Sequence, residues 1–187
     1  MSNLFSVKGK VVVITGGCGI LGSCMVHHLT SEGTRLAILD RDKKRGEELV
    51  NEVKSNKGEA IFLETDVLNK EVLELNRTHI MAYYGTIDVL INAAGGNMPG
   101  ATIAPDKTIF DLNMGDFEKV VDLNLYGTVL PTLVFGKVMA ENEKGSIVNI
   151  SSESALRPLT RVVGYGTAKA AVTNFTKYLA AEMAIKF

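Results

Sequence analysis

The chain has 187 residues, of which 46% are hydrophobic and 22% charged, with 18 glycines and 4 prolines. This composition excludes a wholly disordered chain, and the length fits one domain, residues 1–187, with a sizeable core. Lys and Arg total 20 against 21 Asp and Glu, which leaves a formal net charge of -1. No run of basic residues is long enough to bind along a phosphate backbone, so nucleic acid is not expected as a partner.

We expect this chain neither to span a membrane nor to bind a metal ion. No apolar run approaches the roughly 18 residues that a membrane span needs, and the first ten residues lack the long apolar region of a secretory signal. A cytoplasmic protein is therefore expected. The two cysteines, Cys18 and Cys24, are too few for a metal site or a disulfide framework, so we expect reduced packing residues.

Short apolar segments rich in Val and Ile alternate with longer segments of helical spacing. The predicted strands are 11–15, 36–39, 60–63, 89–92 and 147–150, and the predicted helices are 21–32, 43–55, 70–84, 114–141 and 165–186. This alternation predicts an α/β fold, a doubly wound parallel sheet of the Rossmann type with three αβα layers. The least regular stretch, 95–113, follows the fourth strand, where loops usually carry a ligand site.

The first predicted strand leads directly into a glycine-rich segment, TGGCGILG at 15–22, and then into a helix. Glycines let the backbone approach a pyrophosphate, and the helix start offers unpaired N–H groups and the positive end of the helix dipole. This context predicts a dinucleotide-binding turn, with a tight turn that holds no ligand as the alternative. The candidate contacts are Gly16, Gly19, Ile20, Leu21 and Gly22.

Asp40 ends the second predicted strand. Its carboxylate could accept both hydroxyls of an adenine ribose and would repel a 2′-phosphate, which favours NAD over NADP. Arg41 argues the other way, because its guanidinium could pair with that phosphate. A carboxylate at the start of the next helix is the structural alternative for Asp40.

The ends of the third and fourth strands supply further candidates for cofactor binding. Asp66, followed by Val67, is placed to hydrogen-bond the adenine edge or, equally, to cap the next helix. The segment after the fourth strand would pass beside the adenine ribose, and it consists of Asn92, Ala93, Ala94 and Gly95.

Tyr165 and Lys169 lie four residues apart and share one face of a predicted helix. The ammonium can therefore stabilise a phenolate electrostatically. Such a pair also arises by chance, so its context matters. Ser152 follows the fifth strand and Asn124 lies in the preceding helical segment, although a cap or turn serine is the simpler interpretation of Ser152 alone.

Five ordered motifs, TGGCGILG, NAAG, DLNLYGT, NISS and YGTAK, resemble those of the short-chain dehydrogenases/reductases across essentially the whole chain. The resemblance implies an oxidoreductase with Tyr165 as acid/base and Lys169 assisting it and binding the nicotinamide ribose. It also implies that Ser152 holds the substrate carbonyl and Asn124 a proton-relay water. The same resemblance implies a homo-oligomer, formed through the two long helices before and after the fifth strand.

Two features depart from the common family pattern. Gly16, Gly19 and Gly22 follow the three-residue spacing of the extended branch. Family members also continue past the catalytic helix into two further strands and a Pro-Gly cofactor segment, whereas this sequence ends at Phe187. The resemblance therefore predicts a domain truncated at its C-terminal edge, with the fifth strand as a bare edge and with feeble activity.

The substrate is indicated by the loop between Ser152 and Tyr165, which carries Arg157 and Arg161. Guanidiniums are suited to clamp a carboxylate, and Asn97 lies in the facing polar loop, although two surface arginines are the alternative. Three segments, GGNMPGATIAPDKTIFDLN, DLNLYGTVLPTLVF and SALRPLTRVVGY, resemble the D-mannonate oxidoreductase (fructuronate reductase) branch.

That resemblance implies hydride transfer between NAD(H) and a secondary alcohol or ketone of a sugar acid. The alcohol would be D-mannonate and the ketone D-fructuronate. Two alternatives stay open. One is another polyol or ketone reductase of the family, such as a gluconate 5-dehydrogenase. The other is a dinucleotide-binding module without catalysis.

Overall fold

The computed structural model describes residues 5–159 and 161–184, and its strands lie within one residue of the predicted segments. They are β1 (Val11–Thr15), β2 (Arg35–Asp40), β3 (Glu59–Glu64), β4 (Val89–Asn92) and β5 (Ser146–Asn149). The α-helices of the described residues are α1 (Ile20–Ser31), α2 (Lys43–Ser55), α3 (Lys70–Tyr84), α4 (Met114–Val121), α5 (Gly127–Glu141) and α6 (Val163–Ala184). The predicted end of the last helix, at Lys186, lies outside the described residues.

The five strands form one parallel sheet in the order β3-β2-β1-β4-β5, which confirms the doubly wound fold. Because all strands run the same way, their carboxyl ends share one edge of the sheet. Thr15 pairs with Asn92, which in turn pairs with Asn149. The chain order reverses between β1 and β4, and ligands of such sheets bind in the crevice at that reversal.

Alternate residues of β1 enter two separate cores. Val11 and Val13 join a cluster with α3 and α5, whereas Val12 and Ile14 join a cluster with α1 and α2. Helices therefore cover both faces of the sheet, which explains why β1 is apolar at consecutive positions rather than at every second one. The three αβα layers predicted from the sequence are confirmed.

The predicted helix 114–141 contains a five-residue π-helical turn, Asp122–Tyr126, between α4 and α5. Together these elements form a helix of 28 residues that is long and apolar enough to cross a membrane, contrary to the expectation that no segment would be. In this domain, 56% of its most apolar window is buried, as in the core helix of a folded protein.

Three further regions qualify the predictions. Residues 95–113 are irregular as expected and contain two short 3-10 turns, Pro99–Ala101 and Ile109–Asp111. Within the described residues β5 pairs with β4 alone, and its Val148 is 44% exposed. Cys24 is exposed on α1, so its prediction as a packing residue is wrong, whereas Cys18 is half-buried.

Candidate functional site

The turn between β1 and α1 requires glycine at two positions for different reasons. Gly16 has a positive φ of 66°, and a β-carbon there would lie 2.7 Å from the Ala94 backbone nitrogen. At Gly22, a β-carbon would overlap the carbonyl oxygen of Gly16. The backbone of this turn is therefore closely packed, and its glycines carry no side chains that would keep a phosphate away.

Asp40 bonds both this turn and the residue at which the following helix begins. Its carboxylate accepts hydrogen bonds from the Cys18 N–H at 2.9 Å and the Asp42 N–H at 3.1 Å. The N-cap of α2 is Asp42, which accepts from the Arg45 N–H at 2.9 Å, so Asp40 does not cap the helix itself but bonds the cap residue. Burial, and then the charges of Asp40 and Asp42, raise the pKa of the Cys18 thiol to about 12.

A cleft of about 320 Å³ opens at the carboxyl edge of the sheet, over the end of β1. Eight of the predicted cofactor residues line it, namely Gly16, Gly19, Asp40, Arg41, Val67, Ala93, Ala94 and Gly95. Cys18, Leu39, Asp42, Thr65 and Leu123 also line it, and none of them was predicted. The bare glycine turn and the oriented carboxylate at one end of this cleft fit a dinucleotide.

Other predicted cofactor residues lie apart from the cleft lining. Asp66 is exposed and accepts from the Leu68 N–H at 3.0 Å, so its carboxylate closes a turn before α3. Asn92 is 1% exposed, and its amide donates to Thr132 Oγ1 at 2.9 Å and to Asn149 Oδ1 at 2.8 Å. The Asn92 side chain thus joins β4 to its neighbours inside the core instead of facing a ribose.

Ile20 and Leu21 begin α1 as residues that are 87% and 66% exposed. Thr15, which was not predicted, accepts from the Ala93 and Ala94 N–H groups, each at 3.2 Å. Its hydroxyl therefore fastens the segment after β4 to the end of β1. A polar residue at the end of an apolar strand was the available signal for this role.

The π-helical turn places Asn124, which is fully buried, against the loop after β4. Its amide donates to the carbonyl oxygens of Gly96 at 2.7 Å and Val120 at 2.8 Å, and its Oδ1 accepts from the Gly96 N–H at 3.2 Å. These bonds hold the loop and the helix together. π-Helical turns inside α-helices occur frequently at functional sites.

Lys169 lies in α6 and is 3% exposed. Its ammonium donates to the carbonyl oxygen of Ile150 at 2.7 Å and lies 5.6 Å from the centre of the Tyr165 ring. Burial lowers the pKa of Lys169 from its ordinary value. A β-carbon at Gly95 would lie 2.6 Å from Asn124 Oδ1 and 3.4 Å from Lys169 Nζ, so Asn124 and Lys169 converge on a residue that lines the cleft.

Ser152 caps the 3-10 turn Glu153–Ala155. Its Oγ accepts from the Ser154 N–H at 3.2 Å and from the Ser154 hydroxyl at 3.0 Å. Both bonds use the Ser152 oxygen as acceptor, which leaves its hydroxyl hydrogen able to donate to a ligand. Ser154, which the sequence analysis missed, therefore orients Ser152, and the capping role does not exclude a second one.

Three of the residues predicted to bind substrate bond to different partners in the structure. Arg157 donates to Glu153 at 2.8 Å in an exposed ion pair. Asn97 is also exposed, and its amide donates to Thr102 Oγ1 at 2.7 Å within its own loop. Arg161 instead contacts the facing loop, because its carbonyl oxygen accepts from the Ile103 N–H at 3.0 Å. Arg157 is thus paired within its own loop, whereas the backbone of Arg161 joins two loops.

Comparisons with known proteins agree with this geometry. A family model described as short chain dehydrogenase matches residues 10–186. The uncharacterized oxidoreductase UxuB of Bacillus subtilis is 36% identical over 96% of this chain and 67% of its own length. The chain thus spans about two thirds of the length of such relatives.

Two solved structures share the fold of the described residues. One is a "putative D-Mannonate oxidoreductase" from Haemophilus influenzae with bound NAD, at a TM-score of 0.90 and 36% identity over 96% of this chain and 68% of that one. The other is an NAD+-bound xylitol dehydrogenase, at a TM-score of 0.89 and 28% identity over 96% of this chain and 67% of that one. With its five-stranded parallel sheet and the cleft at the reversal of strand order, this chain belongs to the short-chain dehydrogenase family of NAD(P)-dependent oxidoreductases.

Proposed function

We propose that this chain binds NAD(H) and transfers hydride between this cofactor and a sugar acid. The sugar acid is D-mannonate, as the secondary alcohol, or D-fructuronate, as the ketone. The observation that carries the proposal is the junction at Gly95. This residue lines the dinucleotide cleft on one side and adjoins Asn124 and Lys169 on the other. A cofactor in the cleft would thereby reach the acid/base residues.

The residues that would hold the cofactor follow the cleft from the glycine turn to Gly95. The bare turn at Gly16 and Gly19 and the start of α1 would bind the pyrophosphate, and Asp40 the adenine ribose. A bound nicotinamide would supply the hydride for reduction and accept it for oxidation, which no protein side chain can do.

Tyr165 would give a proton to the carbonyl oxygen during reduction and take it back during oxidation. The ammonium of Lys169, held by Ile150, would stabilise the phenolate, since an opposite charge favours the ionised form. Ser152, oriented by Ser154, would donate its hydroxyl hydrogen to the same carbonyl oxygen as negative charge develops there. Asn124 would hold the loop after β4 and, through it, the cofactor side of the site.

NAD is proposed over NADP because Asp40 faces the glycine turn with both carboxylate oxygens restrained. A fixed negative charge at that place repels a 2′-phosphate. Arg41 also lines the cleft, and a guanidinium there is the feature that would favour the phosphate. The bound NAD in the Haemophilus influenzae structure supports the first interpretation.

Reduction of a neutral ketose to a polyol is the second candidate. The observation that favours it is the likeness to the xylitol dehydrogenase structure. A ketose and a keto acid present the same reacting carbonyl to Tyr165 and Ser152, so the catalytic residues alone do not discriminate between them. The difference lies in whether the site recognises a carboxylate.

The test is a panel of carbonyl compounds with NADH and with NADPH, read as loss of absorbance of the reduced cofactor. D-Fructuronate, 5-ketogluconate, D-xylulose and a 3-oxoacyl thioester form the panel. We expect D-fructuronate with NADH to give the highest kcat/KM. A higher value with D-xylulose would favour the polyol candidate, and NADH binding without turnover of any compound would favour the non-catalytic module.

Three further predictions belong with this proposal. Residues 1–187 are proposed as one dinucleotide-binding domain. We also propose that the protein forms homo-oligomers and is cytoplasmic. A single cooperative unfolding transition in calorimetry tests the first, gel filtration with light scattering tests the second, and fractionation of cells tests the third.

A further inference from the structure

The core-facing side of α3 carries an amide among large apolar side chains. Leu73, Ile80 and Tyr84 are buried there, and Asn76, which is 5% exposed, lies between Leu73 and Ile80 in the same helical stripe. A buried amide is unfavourable unless its polar atoms are hydrogen-bonded. For packing alone an apolar residue would suit this position better, so the bonds of Asn76 indicate what its amide contributes.

Asn76 bonds the residue at which the chain leaves β3. Its amide nitrogen donates to Thr65 Oγ1 at 2.8 Å and, at the longer distance of 3.4 Å, to the Glu64 carbonyl oxygen. The Thr65 hydroxyl in turn donates to the Leu63 carbonyl oxygen at 2.7 Å. Because the hydroxyl is bonded on both sides, the Thr65 side chain is held in one rotamer.

Thr65 connects this pair of side chains to the cofactor cleft. It is 2% exposed, and it lines the cleft together with Asp40 and Val67. The Thr65 N–H donates to the Asp40 carbonyl oxygen at 2.8 Å, so the ends of β2 and β3 are joined at this residue. A hydrogen-bonded path therefore runs from α3 through Thr65 to the residue proposed to bind the adenine ribose.

We propose that Asn76 is a positioning residue for cofactor binding, which acts through Thr65 to fix the wall of the cleft at the ends of β2 and β3. Asn76 does not itself line the cleft, so it would act on the cofactor only through the residues that it holds. A wall that is ordered before the cofactor arrives loses less conformational entropy on binding. The inference rests on the proposed function, because it concerns the same NAD(H) site.

The experiment measures the Kd of NADH by fluorescence titration for the wild type, Asn76→Leu, Thr65→Val and the double variant. Each single change removes one partner of the 2.8 Å bond and approximately keeps the side-chain shape. We expect each to raise the Kd by about 3- to 10-fold, the effect of one net hydrogen bond. The double variant should stay within about 2-fold of Thr65→Val, because Asn76 has no hydroxyl to hold once Thr65 is replaced.

The effect on binding should be separate from effects on catalysis and on stability. In Asn76→Leu the KM for NADH should rise with the Kd, while kcat at saturating NADH stays within about 2-fold, because the acid/base residues are unchanged. The Tm of this variant should be unchanged or higher, because leucine suits the apolar stripe of α3. A residue that only stabilises the core would show the opposite pattern, a lower Tm with an unchanged Kd.

Tyr84→Phe is the matched control on the same helix. It removes another buried hydrogen bond between α3 and the sheet, from the Tyr84 hydroxyl to the Leu36 carbonyl oxygen at 3.0 Å. Leu36 precedes Asp40 by four residues, about 13 Å along β2, and therefore lies away from the cleft. We expect Tyr84→Phe to lower the Tm and to change the Kd of NADH by less than about 2-fold.

Three outcomes would overturn the inference. They are an unchanged Kd in Asn76→Leu, effects that multiply in the double variant, and an equal rise of the Kd in Tyr84→Phe. If the wild type reduces D-fructuronate and Asn76→Leu binds NADH equally well, the proposed function stands and this inference fails. If Asn76→Leu weakens NADH binding as expected and no compound of the carbonyl panel is reduced, this inference stands and the proposed hydride transfer fails.

Discussion

The candidate site has a cofactor end over β1 and an acid/base end near β5, and these two strands differ in how completely the rest of the fold covers them. β1 is buried at all five positions, with strands on both sides and helices on both faces, whereas β5 alternates between exposed and half-buried residues. The cofactor end depends on backbone shape in a tightly packed region. The acid/base end depends on a few side chains carried by the π-helical turn, the loop after β5 and α6. Substitutions should therefore act sterically at the first end and chemically at the second.

Replacement of Tyr165 by Phe should give the largest difference between the effects on the two ends, with a large loss of catalysis and little change in cofactor binding. It removes the proton donor and keeps the ring, so we expect kcat for the best carbonyl substrate to fall by about 10²- to 10⁴-fold. The Kd for NADH, from fluorescence titration, should change by less than about 3-fold, because the cleft lining does not include Tyr165. Turnover within 10-fold of the wild type would contradict the assignment.

Gly22→Ala should act in the opposite way, on binding and stability together. The added β-carbon would overlap the Gly16 carbonyl oxygen, and rigid backbone leaves no room for relaxation. We expect NADH affinity to fall by about 10-fold or more and the free energy of unfolding to fall by about 1–3 kcal/mol. Gly115→Ala in α4 is the matched control, because its β-carbon would make only an ordinary 3.4 Å contact with Asn113. Equal behaviour of the two variants would show that the turn is not closely packed.

Asp40→Ala should alter which cofactor binds without disturbing proton transfer. Loss of the carboxylate removes the ribose acceptor and the repulsion of a 2′-phosphate. We expect the NADH-to-NADPH ratio of kcat/KM to fall by about 10-fold, while kcat at saturating NADH stays within about 3-fold. Glu64→Gln is the control, since Glu64 pairs with Asp40 in the sheet and is exposed. An unchanged ratio in Asp40→Ala would remove the argument for NAD.

The smallest effect is expected at Gly95, the junction between the cofactor end and the acid/base end of the site. Its neighbour Gly96 provides the control. At Gly95 a β-carbon would lie 2.6 Å from Asn124 Oδ1, whereas at Gly96 it would meet nothing within 4 Å. We expect Gly95→Ala to lower kcat by about 5- to 10-fold, because displacement of positioning groups slows catalysis. Gly96→Ala should be close to wild type, since the bonds of Gly96 to Asn124 use only its backbone. Similar kcat values for both variants would contradict the proposed junction.

The strands and most helix ends were predictable, because apolar periodicity and turn residues act over a few neighbouring positions. The same holds for the glycine turn and for the spacing of Tyr165 and Lys169 on one helix face. Residue type and local spacing were also sufficient to identify Asp40 as a candidate for the cleft, which it lines in the structure.

Side-chain partners across the fold were not predictable in this way. Asn92, Asp66 and Arg157 each had a plausible ligand role, and each side chain instead bonds within the protein. The π-helical turn that directs Asn124 toward Gly96 was also absent from the sequence prediction.

The order of elements, the parallel sheet and the placement of the motifs at one edge thus follow from the amino-acid sequence alone. Tertiary packing determines which polar groups at that edge are paired, as Arg157 is with Glu153, and which lack a partner among the described residues, as Nη1 of Arg161 does. The physical reason is that secondary structure follows from neighbours along the chain. The partner of a buried polar group depends instead on residues that packing brings from distant positions, as with Asn92 and Asn149.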